Sequence, residues 1–281
     1  MCREGKPAPV GKQLVDKEGL MSKRNSIWLF TVLMILGLAG CGKKEEESTI
    51  GPAKETTSAP APTPIDPTTV GEVTGKITFE GARPKPQRIN MDQDPTCEQK
   101  NHGPVFAEDG AVNNDGTLSN AFVYVKAGAE KLTFAPPATT AVLDQNGCMY
   151  KPHVLGIMAG QILQIISSDD TTHNIHPMPQ NNREWNISQT PGAAPIQQKF
   201  MHPEIMIPIK CNQHAWMRAW LGVTSNPFFA VTGSDGTFAL NGLPPGDYTI
   251  EAWTATFGTQ EQKMTVGAKK SKTVNFKFKS S

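Results

Sequence analysis

The sequence is poor in aromatic and charged residues. Aromatics make up 7% of its 281 residues and charged side chains 19%, the latter below the usual ~25%. The two signs nearly cancel, with 27 Lys+Arg against 26 Asp+Glu. Without a basic surplus there is no electrostatic footprint for a nucleic-acid partner. No amphipathic helical pattern of useful length follows residue 41. That excludes coiled coils and helical bundles. Neither HExxH nor GxSxG occurs, so two common hydrolase signatures are missing. The expectation is a protein that is not an enzyme. The apolar run Ile27–Leu36 is too short to span a membrane comfortably.

Gly (25) and Pro (23) are abundant, as in turn-rich β proteins. Short apolar and β-branched runs recur at 73–79, 121–127, 161–167, 204–209, 219–224, 236–240, 247–253, 260–266 and 272–278. Turn signals separate them, among them Asp115-Gly116, Asn146-Gly147, Asp235-Gly236 and Pro244-Pro245-Gly246. Many short strands with regular turns predict an all-β chain of one or two sandwiches.

Five cysteines, an odd number, ask for an explanation in an exported chain. Lys23 and Arg24, the apolar run and the small residues up to Cys41 read as a secretory signal. The stretch Leu38-Ala39-Gly40-Cys41 resembles a bacterial lipoprotein lipobox. That resemblance implies cleavage before Cys41, a lipid on Cys41 and a membrane-anchored protein of the bacterial cell envelope. Met21 is the more natural start for such a signal, which makes residues 1–20 a doubtful extension and Cys2 irrelevant. Residues 41–70, rich in Pro and Thr, read as a disordered tether. Cys97 and Cys148 are expected to pair in an oxidising compartment; two free thiols are the alternative.

The most informative stretch is Cys211-Asn212-Gln213-His214-Ala215-Trp216-Met217, with His173 upstream. One thiolate, two imidazoles and a thioether form the ligand set of a type 1 copper site, in which the thioether lies at longer range. The segments His173-Asn174-Ile175-His176 and CNQHAWM, on strand-rich text from about Leu143 to Thr224, resemble the cupredoxins, and most closely the amicyanin and plastocyanin branch. The resemblance implies a Greek-key β-sandwich over 129–225 holding one copper ion, with ligands His173, Cys211, His214 and Met217. It implies that Asn174 ties the two ligand loops together and that His214 is a solvent-side port for single electrons. Trp216 is a candidate rim where a redox partner docks. His102, His153 and His202 are expected at the surface.

The stretch 232–253, with Asp-Gly-x-Phe and Leu-Pro-Pro-Gly-x-Tyr, resembles the carboxypeptidase regulatory-like, transthyretin-like module. Phe238, Leu240, Leu243 and Tyr248 should point inward. Its usual opening resembles 73–84 and 120–128, so the expectation is either a discontinuous module over 71–128 and 226–281 or one enlarged sandwich with shared strands. The combined expectation is a lipid-anchored copper carrier of single electrons with an unidentified redox partner in the envelope. The alternatives are copper storage or delivery, and adhesion without metal.

Overall fold

The computed structural model describes residues 61–280. The 1–20 extension, the 21–40 signal segment, Cys41 and the first part of the tether lie outside the described residues. In chain order the elements are β1 (Gly71–Glu80), α1 (Pro95–Lys100), β2 (Phe122–Ala127), β3 (Ala141–Gln145), β4 (Tyr150–Lys151) and β5 (Val154–Met158). Then follow β6 (Ile162–Ser167), β7 (His173–Pro177), β8 (Ile187–Gln189), β9 (Ile196–Lys199), β10 (Glu204–Lys210) and β11 (Arg218–Thr224). The last are β12 (Phe229–Val231), β13 (Thr237–Leu243), β14 (Gly246–Thr254), β15 (Gly258–Val266), β16 (Ser271–Thr273) and β17 (Phe276–Lys279). The expected run 272–278 is broken in two at Val274 and Asn275, where the Asn275 side chain accepts a hydrogen bond from the Lys76 N–H.

The strands form four sheets. Two of them, β13-β1-β16 with β17 also on β1, and β12-β2-β14-β15, make the first sandwich. Its core includes Val73, Ile77, Val123, Val125, Phe238, Leu240, Leu243, Tyr248, Ile250 and Phe276. Strand β13 alternates buried Phe238 and Leu240 with exposed neighbours, the period-two pattern of a half-buried strand. The strand β1 pairs antiparallel with β13, for example Val73 with Leu240. The strand β2 pairs with β12 and β14. The first two strands of this sandwich therefore precede the second sandwich in sequence, and the others follow it.

The second sandwich is made of β5-β11-β10-β7-β8 and β4-β3-β6-β9. Leu143, Tyr150, Ile157, Leu163, Ile165, Ile175, Phe200, Ile209 and Leu221 fill it. Met91 and Cys97 join the same core. The excursion between β1 and β2, expected within the first sandwich, thus packs partly on the second. It carries α1, a six-residue helix absent from the expected pattern. The tether also ends sooner than expected. Thr63 N–H donates to Thr133 O at 2.8 Å, and Ile65 packs on the first core.

Phe122, Tyr124, Val154 and Met206 form a third cluster where the sandwiches meet, flanked by Trp220, Phe229 and Trp253. The backbone approaches closely here. A Cβ on Gly156 would stand 2.5 Å from the Phe229 ring, and one on Gly222 2.6 Å from Phe122. Burying large aromatic surface against two bare glycines is what joins the sandwiches, and truncating it should be expensive. Phe122→Ala should cost about 3–5 kcal/mol and Gly156→Val about 1–3 kcal/mol by overpacking. Denaturant unfolding measures both, and midpoints equal to the parent's would contradict this account of the interface.

Candidate metal centre

The loop after β10 is drawn tight by its own backbone. Cys211 N–H donates to Met217 O at 3.2 Å and Met217 N–H donates to His214 O at 2.9 Å. The His214 N–H is aimed at the Cys211 sulfur at 3.4 Å. The other imidazole, His173, opens β7, whose pairing with β10 sets its height in the sheet. Asn174 joins the two segments. Its Oδ1 accepts from the Asn212 N–H at 2.7 Å and lies 3.3 Å from the Cys211 sulfur.

These constraints bring three donors together. His173 Nδ1 lies 2.9 Å from His214 Nδ1, and Cys211 Sγ lies 3.8 Å from His214 Nδ1. All three are within 4.8 Å of one another. Burial is nearly complete, with exposures of 0% for His173, 3% for Cys211 and 5% for His214. Met217 is fully buried in the apolar cluster that contains Cys211. Trp216 is half-buried; its ring centroid is 5.0 Å from that of His214, and its indole N–H donates to Cys148 O at 3.1 Å.

The outer nitrogens face carboxylates. His173 Nε2 lies 3.0 Å from Asp169 Oδ2. Asp169 is itself buried and accepts from the N–H groups of Gly147 and Cys148, both at 2.7 Å. His214 Nε2 lies 2.9 Å from Asp94 Oδ2. Asp94 is the N-cap of α1, accepting from Thr96 N–H and Cys97 N–H, and it also takes a bond from the Thr171 hydroxyl at 3.0 Å. A carboxylate only accepts, so each imidazole carries a proton on Nε2 and turns Nδ1 toward the centre; with the two Nδ1 atoms 2.9 Å apart, one of them carries a second proton in the metal-free protein.

The charges are strongly coupled. Burial pushes the Cys211 thiol up. Hydrogen bonds from His173 and from the N–H groups of Asn174, His214 and Gln213 outweigh it and bring the thiol down to about 6. Burial pulls His173 down, and the neighbouring Asp169 carboxylate and Cys211 sulfur raise it to about 9. Burial would raise Asp94, but its bonds to His214, Thr171 and the helix N-terminus lower it to about 2.

Two expectations about histidines are overturned. His214 was to be the solvent-side port, but α1 and a disulfide lie over it. Cys97 and Cys148 are bonded, with Cα atoms 5.6 Å apart, and Cys97 Sγ sits 3.8 Å from His214 Nε2. His153, expected at the surface, is buried; its Nε2 lies 2.8 Å from Asp109 Oδ1. His102 and His202 are exposed. His176 faces Glu184 at 2.6 Å and Asn212 at 3.2 Å. The sequence reading missed Asp94 and Asp169. Asp94 stands in Asp-Pro-Thr, a helix-start signal that could have marked it as a cap; nothing in the sequence marks Asp169.

Residues 222–279 match the model of the carboxypeptidase regulatory-like domain. The match runs from the end of β11 to β17 and leaves out β1 and β2, with which β12, β13, β14, β16 and β17 pair. No curated protein matches the chain. Its neighbours among solved structures include cupredoxins, each alike over part of this chain. A purple cupredoxin from Nitrosopumilus maritimus is 19% identical, with a TM-score of 0.26 over 30% of this chain and 99% of that one. An oxidized point mutant of amicyanin is 15% identical, with a TM-score of 0.28 over 36% and 98%. The Cu-containing nitrite reductase of Thermus scotoductus SA-01 is 15% identical, with a TM-score of 0.29 over 37% of this chain; the chain spans 25% of its length.

The disulfide closes a separation of 51 residues. In the chain-entropy model, a loop of that size contributes about 4 kcal/mol. Cys97→Ser with Cys148→Ser should lose that stability in guanidinium unfolding. A double variant as stable as the parent would show that the covalent link does not hold α1 over the centre.

Proposed function

We propose that this chain is a copper protein of the bacterial cell envelope that carries single electrons and is anchored through a lipid on Cys41. The observation that carries the reading is the convergence of two Nδ1 atoms and one thiol in a buried pocket. A thiol lowered to about 6 is mainly thiolate at neutral pH. Thiolate plus two imidazoles suits a soft or borderline metal, so the residues fit copper. His173, Cys211 and His214 would hold it, with Met217 as the weak fourth ligand. When bound, copper supplies one-electron chemistry by cycling between Cu(I) and Cu(II).

The protein's own groups do the rest. Asp169 and Asp94 hold the Nε2 protons and fix both rings. The backbone bonds of the 211–217 loop and the Asn174 bridge keep the donors in place, which limits rearrangement between oxidation states. His173, raised to about 9, holds an extra proton that must leave as a cation enters. With Met217 as the fourth ligand no position would be left for a substrate, so the reading is a carrier rather than an enzyme. One observation favours a second reading, copper storage or delivery: the covered edge of His214.

Adding Cu(II) to the purified metal-free protein should produce an intense blue thiolate-to-copper band. Cys211→Ala should abolish it, and Asp94→Asn should keep it while lowering copper affinity about 10–100-fold. Met217→Leu should keep the colour and raise the reduction potential. A protein that stays colourless and binds no copper tightly would sink the reading. A blue protein that does not exchange electrons with small redox reagents would leave storage as its function.

A further inference from the structure

The outer edge of His214 is covered by α1, and Trp216 of the same loop stands half-buried beside it. Its ring lies beside His214, and with Ala215 it lines a groove of about 980 Å³. Much of the rest of its lining comes from the excursion between β1 and β2, in which Arg88 and Phe106 form an isolated antiparallel β-bridge. Phe106 is 43% exposed, an unusual position for so large an apolar side chain in this chain. Arg83, Lys85, Arg88 and Arg218 also line the groove. Among the described residues, none of these four cations forms an ion pair.

Two carboxylates share the groove, and one of them is already engaged. Asp109 accepts from the Trp220 indole N–H at 2.9 Å and faces His153. Glu108 is the other, 3.9 Å from His153. Four cations against two carboxylates, on a chain of net charge +1, concentrate positive charge where the metal loop meets solvent. Such a patch steers association with an opposite charge. The exposed Phe106 and the Trp216 face supply the aromatic anchors typical of an interface core.

We propose that this groove docks the acidic face of a partner protein, with Phe106 and Trp216 at the contact and Arg83, Lys85, Arg88 and Arg218 around it. The proposal deepens the electron-carrier reading by naming the charge of the partner and the point of approach. It is tested on metal-free protein, so docking and copper binding fail separately.

The probe is poly-L-glutamate, titrated into the full metal-free chain in detergent and followed by calorimetry and by the indole N–H resonance of Trp216. Saturable binding should shift that resonance and weaken at least tenfold as salt rises from low to physiological strength. The triple variant Arg83→Glu, Lys85→Glu, Arg88→Glu should weaken it tenfold or more, while Lys131→Glu with Lys272→Glu, outside the groove, should leave it unchanged. Phe106→Ser, at an already exposed position, should weaken it without altering the fold. Undiminished binding in the triple variant, an unmoved Trp216 resonance, or equal binding of poly-L-lysine would overturn the proposal. Binding to phosphatidylglycerol vesicles in preference to poly-L-glutamate would assign the patch to the membrane instead and overturn it too.

Discussion

A carboxylate accepts hydrogen bonds and cannot donate one, so Asp169 and Asp94 decide where the protons of His173 and His214 sit. With Nε2 protonated and held on both rings, both Nδ1 atoms are directed at the same small volume as the Cys211 sulfur, and both offer lone pairs once the extra proton on His173 leaves. Neither aspartate belongs to the Cys211–Met217 loop. Asp169 is fixed by the turn at Gly147 and Cys148, and Asp94 by the first turn of α1. The disulfide connects those two supports. The site therefore depends on a clamp assembled from parts of the chain far apart in sequence.

The same clamp explains an architectural oddity. The excursion between β1 and β2 leaves the first sandwich, deposits Met91 and Cys97 in the core of the second, and returns. An independent module would not need such a detour. Here it carries the helix that covers His214 and one wall of the groove beside Trp216. The aromatic cluster between the sandwiches, built around Phe122, leaves little room for relative motion at the interface.

Much of this was legible in the sequence because it is written locally. Alternating apolar residues marked β13 and β14, and the buried Phe238, Leu240, Leu243 and Tyr248 lie where the pattern placed them. The segments CNQHAWM and HNIH marked the donors, because their spacing survives on single elements. The Cys97–Cys148 pair followed from compartment and count. Three features were not legible, each for a nonlocal reason. Asp169 looks like any loop aspartate until the fold aims it at His173. His214 reads as exposed until a helix from 120 residues upstream is laid over it. Residues 61–70 have the composition of a tether, yet Ile65 and Thr63 find partners on the first sandwich.

The central claim is that one sulfur and two imidazole nitrogens from this chain share a single metal ion. Copper K-edge X-ray absorption on the loaded, reduced protein tests it most directly. The account predicts one short sulfur scatterer and two nitrogen scatterers, with the sulfur lost when Cys211 is replaced by Ala. A shell of oxygen scatterers with no sulfur, or a spectrum unchanged by that substitution, would contradict it.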